Sequence, residues 1–233
     1  MKRIFAAMAV FLGVGVQAVP ASADMTYTLN CDSVACSPAG NYGSVTLHQL
    51  GTGVAGSATN IVEVTVNLIS VMNDFAGTGA GFAINWNITG NPNLTTNIDA
   101  HDAANDPLPS GVTYDPTHFA IKDGTATNNN YKASPFGDNW QYAIEYTPNG
   151  GRASNDNYLI FDVTKASGLL ISDFAAINGF LFAVDIFSES GTPCNTCVVA
   201  AKVAEPGTAP LMIVATLGML FLMQRRRKSV RAN

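Results

Sequence analysis

The 233-residue chain has few charged residues, and basic residues are especially scarce away from its ends. Only 12% of its residues are charged. Residues 24–204 contain 16 of the 17 acidic side chains but five of the 12 basic ones, which gives this segment a net charge of −11. Because such a segment repels phosphate backbones, we expect no nucleic-acid partner.

The sequence also lacks the spaced motifs of common hydrolases. His48, His101 and His118 are isolated from one another, so no H-E-x-x-H zinc motif is present. No G-x-S-x-G nucleophile elbow is present either. Paired carboxylates for glycoside hydrolysis leave no mark in a sequence, because their pairing is spatial. We therefore expect a non-catalytic protein, with a polysaccharide-acting hydrolase as a less favoured alternative.

The N-terminus contains an apolar stretch that follows two basic residues. This stretch covers residues 4–16, and Ala21 and Ala23 then form the small-x-small pattern of a cleavage site. A bilayer-spanning helix needs about 20 apolar residues, more than this stretch contains. We therefore predict a cleaved signal peptide over residues 1–23 and an exported chain that begins at Asp24.

Export bears on the four cysteines, because oxidising compartments favour disulfides. The cysteines lie close to the two ends of the exported domain: Cys31, Cys36, Cys194 and Cys197. Two local bridges, one within each pair, are the simplest arrangement, and a cross-pairing that joins the two ends of the domain is the alternative. A four-cysteine zinc site is less favoured, since exported domains seldom depend on one.

Between the ends, apolar residues recur with a period of two. Four segments show this most clearly: residues 60–70, 81–89, 139–147 and 157–164. Such alternation is typical of strands with one buried face, whereas residues 179–188 are apolar on both faces and predict a central strand. Helical periodicity is scarce, and its best candidate, residues 164–177, is interrupted by Gly168. The sequence predicts an all-β domain over residues 24–202, an antiparallel β-sandwich of jelly-roll type.

Aromatic residues of this domain have two interpretations. The residues concerned are Trp86, Trp140, Tyr142 and Tyr146. An exposed set would form a sugar-stacking platform, and a carbohydrate-binding module for an extracellular polysaccharide is therefore an alternative function. Three of the four share one strand face with Ile144, which favours packing in the core.

The longest irregular segment, residues 97–118, is rich in carboxylates. It contains Asp99, His101, Asp102, Asn105, Asp106, Asp115 and His118. Carboxylate and amide oxygens suit Ca²⁺, and Asp99, Asp102 and Asp106 are the candidate ligands. The spacing matches no EF-hand loop, and Asp and Asn are also ordinary turn residues. A solvated loop is the favoured interpretation, so we expect no essential cofactor.

The C-terminus contains a second apolar stretch with basic neighbours. Residues 209–224 are uncharged and predict a transmembrane helix, which is short for a bilayer core of about 30 Å and needs a thinned membrane or snorkelling side chains. The tail 225–233 follows, and its cluster is Arg225, Arg226, Arg227 and Lys228. This cluster stays cytoplasmic under the positive-inside rule, which places the domain across the membrane. The alternative, in which residues 209–224 form a buried core helix, is disfavoured because the segment lies at the end of the chain.

Residues 203–233 resemble the PEP-CTERM sorting signal of Gram-negative bacteria, which has a Pro-Glu-Pro motif, a transmembrane helix and a basic end. The motif segment is Val203, Ala204, Glu205, Pro206, Gly207 and Thr208, in which Ala204 replaces the first proline. The resemblance implies an exosortase, a membrane cysteine transpeptidase-like enzyme, as partner. It implies that this enzyme recognises Glu205 and Pro206 and cleaves near them.

The same resemblance implies a location. It predicts export across the inner membrane, transient anchoring there by the C-terminal helix, and then transfer to the cell surface or the extracellular matrix, often beside exopolysaccharide. A permanent anchor without processing is the alternative for the tail.

Overall fold

The computed structural model describes residues 24–31, 41–69, 73–76, 82–98, 108–122, 131–148, 156–188 and 196–203. These segments form thirteen strands: β1 (Met25–Cys31), β2 (Gly43–Leu50), β3 (Ile61–Leu68), β4 (Asn73–Phe75), β5 (Ile84–Trp86), β6 (Thr95–Ile98), β7 (Phe119–Lys122), β8 (Tyr131–Ala133), β9 (Gly137–Trp140), β10 (Tyr142–Tyr146), β11 (Tyr158–Thr164), β12 (Phe180–Ser188) and β13 (Thr196–Lys202). Two short 3₁₀ turns, Pro116–His118 and Ile171–Asp173, are the helical structure in these ranges. The predicted all-β class is confirmed.

Eleven strands form one antiparallel sheet, and β8 and β9 form a separate hairpin. The order across the sheet is β6-β11-β3-β2-β1-β13-β12-β5-β10-β7, and β4 pairs with β12 beside this path. The two end strands, β6 and β7, are in contact, so the sheet curls into a nearly closed barrel. The strands therefore surround one core as a continuous curved sheet, rather than as two sheets that are separate in their hydrogen bonding.

The barrel interior follows the alternation of the sequence. In β3, Val62, Val64 and Val66 are fully buried and point inward, while the residues between them are partly exposed. The facing strand β2 buries Val45 and Leu47 in the same way, because β2 and β3 pair in register over their whole length. The period of two thus fixes which side chains fill the core.

A second, smaller core lies on the outside of the sheet. There the β8–β9 hairpin places Phe136 and Trp140 over small side chains of the barrel strands, among them Ala183 and Ala200. The cover explains a difference from prediction: Asn85, expected on a polar outer face, is fully buried. A distant hairpin can hide an outward-facing residue in a way that local alternation does not reveal.

Both ends of the domain are directed to one pole of the barrel. β1 and β13 are antiparallel neighbours, with Leu29 opposite Ala201, so β13 ends beside Thr28 and the chain leaves it in the direction of the start of β1. We call the end of the barrel that contains Met25 the exit pole. The other end, where β1 finishes at Cys31, is the far pole.

The interruption of the helical spacing at Gly168 agrees with the structure. Residues 164–177 form no α-helix, Gly168 has φ of 76°, and the 3₁₀ turn Ile171–Asp173 follows it. One local prediction was wrong. The predicted strand over residues 139–147 is broken at Gln141, which separates β9 from β10. Trp140 therefore packs in the outer core, whereas Tyr142 packs in the barrel.

The turn at Gly168 gives a stability prediction. An alanine there would adopt positive φ and push its Cβ into the carbonyl group of Ser57. Gly56 has a similar φ of 82° but open space around it, so it is the matched control. We expect Gly168→Ala to lower the free energy of unfolding by about 3 kcal/mol and Gly56→Ala by about 1 kcal/mol. Urea unfolding followed by tryptophan fluorescence measures both, and equal losses would contradict the steric explanation.

Candidate functional site

The predicted sorting signal begins where the described structure ends. Val203 directly follows β13, packs against the core, and donates its N–H to the carbonyl oxygen of Gly179 at 2.9 Å. Residues 204–233, with the rest of the motif, the predicted membrane helix and the basic cluster, lie outside the described residues, as do Ala21 and Ala23. Within the described ranges, no helix has the length and apolar character needed to cross a bilayer.

The two cysteines that the structure describes cannot bond to each other. Cys31 is opposite Ala200 in the sheet, three residues along β13 from Cys197. The side chain of Cys31 lies in the outer core, whereas Cys197 lies in the barrel core. Neither is a free thiol. A cross-pairing of Cys31 with Cys197 is therefore excluded. Cys36 and Cys194 lie outside the described residues, so the two local bridges and a cross-pairing of Cys31 with Cys194 remain predictions.

The aromatic residues weighed as a sugar platform are buried. Trp86, Trp140, Tyr142 and Tyr146 are each at most 4% exposed. The rings of Trp86 and Tyr142 stack with centroids 5.8 Å apart, and burial raises the pKa of Tyr142 to about 12. The hydroxyl of Tyr142 donates to Asn91 and to the carbonyl oxygen of Pro92. Core packing is thus the correct interpretation, and no sugar can stack on these rings in the folded state.

A polar cluster at the far pole is centred on Asp156. This residue lies two positions before the start of β11 and is 1% exposed. Its carboxylate accepts hydrogen bonds from the N–H of Asp115 at 2.9 Å, from Nδ1 of His118 at 2.6 Å and from the hydroxyl of Tyr146 at 2.8 Å. Such bonds compensate a carboxylate for the hydration that it loses on burial.

Three elements converge on this carboxylate. Tyr146 ends β10, and its antiparallel partner Phe119 begins β7, so His118 is brought alongside. Asp115 caps the 3₁₀ turn that leads into β7 by accepting from the N–H and the hydroxyl of Thr117. These bonds from Thr117 hold the pKa of Asp115 below its ordinary value of 3.8, burial opposes the shift slightly, and His118 lowers the pKa further.

The arrangement resembles a clamp more than a catalytic base. Nε2 of His118 lies 3.6 Å from Oδ2 of Asp115, so each ring nitrogen faces a carboxylate of the cluster. A general base needs one nitrogen directed at a substrate proton. The next residue, Asn157, exchanges two further hydrogen bonds with Thr113. The cluster therefore fixes residues 113–118 against the barrel.

A cleft of about 330 Å³ lies next to this clamped segment at the far pole. Its floor is the outer face of β1, β2 and β3, and its other wall is the turn at residues 109–112. The side chains of Thr28, Ser44 and Asn67 contribute hydroxyl and amide groups, and none of the described residues that line the cleft is charged.

Metal binding in the described structure has no candidate. The described residues contain no group of three His, Cys, Asp or Glu side chains placed to hold a metal ion. The candidate calcium ligands Asp99, Asp102 and Asp106 lie outside the described residues, so that prediction stays open.

No protein family, no curated protein and no solved structure matches this chain. Its function is therefore inferred from its own residues.

The sequence prediction and the structure agree only in part on the site. Asp115 and His118 were singled out within an acidic loop, and the structure does bring them together. Asp156, Asn157 and the cleft residues were missed, because an Asp-Asn pair after a glycine-rich turn looks like any other turn. Burial of Asp156 was the deciding feature, and it depends on contacts with residues distant in sequence, such as Asp115, 41 residues away.

Replacing Asp156 tests the clamp. Asp156→Ala leaves the imidazole of His118 and the buried hydroxyl of Tyr146 without their shared acceptor, so we expect a loss of about 2–4 kcal/mol in unfolding free energy. Asp115→Ala, which removes an exposed carboxylate from the same cluster, is the control and should cost much less. Urea unfolding compares the two, and similar stabilities would show that the buried carboxylate is not central.

Proposed function

We propose that this protein is a non-catalytic cell-surface or extracellular-matrix protein of a Gram-negative bacterium, sorted by exosortase through residues 203–233. The observation that carries the proposal is the pairing of two signals: a signal peptide before the domain and a PEP-CTERM-like segment after it. In this proposal the C-terminal helix holds the exported domain at the inner membrane until exosortase acts.

The geometry of the exit pole supports this order of events. Because β1 pairs with β13 in antiparallel register, the start of β1 and the end of β13, which adjoin the two predicted processing points in sequence, are directed to the same end of the barrel. Five residues, 204–208, separate Val203 from the apolar segment at 209. At no more than about 3.6 Å per residue, they span less than roughly 18 Å, so the domain is held close to the bilayer. Pro206 and Gly207 disfavour regular structure and leave the motif extended for recognition.

The jelly-roll topology and the disulfide pairing are also part of this proposal. Strands from the first half of the chain pair with strands from the second: β1 with β13, β3 with β11, and β5 with β10 and β12. This interleaving supports the jelly-roll class. We propose the local disulfides Cys31–Cys36 and Cys194–Cys197. Each joins two cysteines that are close in sequence, and neither requires a bond between the opposite faces of the sheet on which Cys31 and Cys197 lie.

Carbohydrate binding is the second candidate function, and the far-pole cleft is the observation that favours it. It no longer rests on aromatic stacking, because the rings concerned are buried. A polysaccharide hydrolase is less favoured, since no carboxylate lines the described cleft.

Removal of the tail tests the anchoring. Deleting residues 204–233 keeps β13 and Val203 intact, so the domain should fold and appear in the periplasm or the medium in place of the membrane fraction. Deleting residues 229–233 alone, which spares the basic cluster, should leave it membrane-bound. Fractionation followed by immunoblotting distinguishes the two, and membrane retention of the larger deletion would refute anchoring by the tail.

Substitution in the motif tests the sorting itself. Glu205→Ala and Pro206→Ala should each leave a heavier, unprocessed precursor, because they remove the residues that exosortase is proposed to recognise. Ser229→Ala, in the tail beyond the helix, is the control and should be processed normally. Mass spectrometry of the mature C-terminus gives the decisive measurement: an intact residue 233 in the unmodified protein would mean a permanent anchor.

A further inference from the structure

We propose that the far-pole cleft binds a neutral, hydroxyl-rich glycan segment. This inference concerns the barrel alone and does not depend on how the tail is processed. The cleft of about 330 Å³ lies at the lower end of the range of small-molecule sites, which is about 300–1,000 Å³.

The chemistry of the lining selects the ligand class. None of the described lining residues carries a charge, so these residues offer no cation to an anionic group and no carboxylate to a metal ion. The net charge of −11 over residues 24–204 further disfavours phosphorylated or uronate-bearing ligands. What remains is a set of hydroxyls and amides, which donate and accept as sugar hydroxyls do.

These polar groups are available to a ligand. Thr28, Ser44 and Asn67 are opposite one another on three neighbouring strands, with Thr28 facing Ser44 and Ser44 facing Asn67. Within the described part of the chain, their side chains have no hydrogen-bond partner. Ser110 adds a further hydroxyl from the opposite wall. The row is preorganised, because strand backbones hold adjacent members about 4.8 Å apart.

A second row extends the surface beyond the cleft. Thr26, Thr46 and Thr65 are opposite one another on the same three strands, one step closer to the exit pole. The Oγ1 atoms of Thr26 and Thr46 lie 3.0 Å apart. Together the rows form a regular array of uncharged hydrogen-bonding groups that suits a chain of sugar units better than a single small molecule.

The backbone under the cleft also restricts which residue can occupy position 43. Gly43 begins β2 with φ of 145°, and a Cβ there would collide with the carbonyl oxygen of Asn67. The close approach of β2 and β3 at this point keeps Ser44 and Asn67 side by side. A glycine is therefore required to form the cleft floor.

The experiment uses the full exported chain, purified in mild detergent, on an array of neutral gluco-, galacto- and manno-oligosaccharides and of uronate-bearing oligosaccharides. We expect binding to neutral oligosaccharides only. Calorimetric titration with the strongest neutral binder should then show that Ser44→Ala combined with Asn67→Ala weakens binding about tenfold or more. Asn97→Ala, on the exposed outer face of β6, is the matched control and should bind normally.

A second variant separates lost contacts from lost folding. Thr28→Arg places a long charged side chain at an exposed position in the mouth of the cleft, where it should abolish binding while the unfolding midpoint stays unchanged. Absence of neutral-glycan binding, a preference for uronates, or binding that Ser44→Ala with Asn67→Ala leaves intact would overturn the proposal. None of these outcomes affects C-terminal processing, so the two proposals can fail independently.

Discussion

The pairing of β1 with β13 is the constraint on which the rest of this structure depends. It joins the first and last strands of the domain in the middle of the sheet, so the barrel can close only when the whole chain is present. Contacts of such long sequence separation carry a large loop-closure cost, which the buried residues of both strands must offset. The same pairing decides that both termini leave at one pole, and thus where any signal attached to them must act.

The hairpin β8–β9 covers apolar side chains that the closed barrel would otherwise expose on its outer face. Strands β1, β12 and β13 carry Cys31, Ala183 and Ala200 outward, and these residues would be exposed to water on a bare barrel. Small side chains there let Phe136 and Trp140 approach the sheet closely, and the hairpin buries both faces of the central strands. The cost is that some polar atoms under the cover, such as Oδ1 of Asn85 and Nε1 of Trp140, have no hydrogen-bond partner in the described structure.

Local pattern was enough to predict the class and the strands with one covered face. β2 and β3 were foreseen because their inward and outward residues differ sharply in polarity, and the central position of β12 followed from its apolar faces. Pattern failed where distant segments decide burial: the sequence says nothing of the cover over Asn85 or of the bonds to Asp156. Gly168 was a usable local signal, because it interrupts the helical spacing of residues 164–177 and has a positive φ in the structure.

The position of the cleft relative to the end of the domain has a consequence for the proposed function. Leu29 is opposite Ala201, so the antiparallel register places Thr28, which lines the cleft, beside Lys202 near the end of β13. The cleft and the end of β13 are therefore neighbours on the sheet, because Thr28 is also opposite Ser44. If residues 204–208 link the domain to a membrane helix as proposed, their reach of less than roughly 18 Å would hold the cleft, as well as the end of β13, close to the bilayer. In that arrangement, ligand recognition and tail processing would occur on neighbouring parts of the barrel.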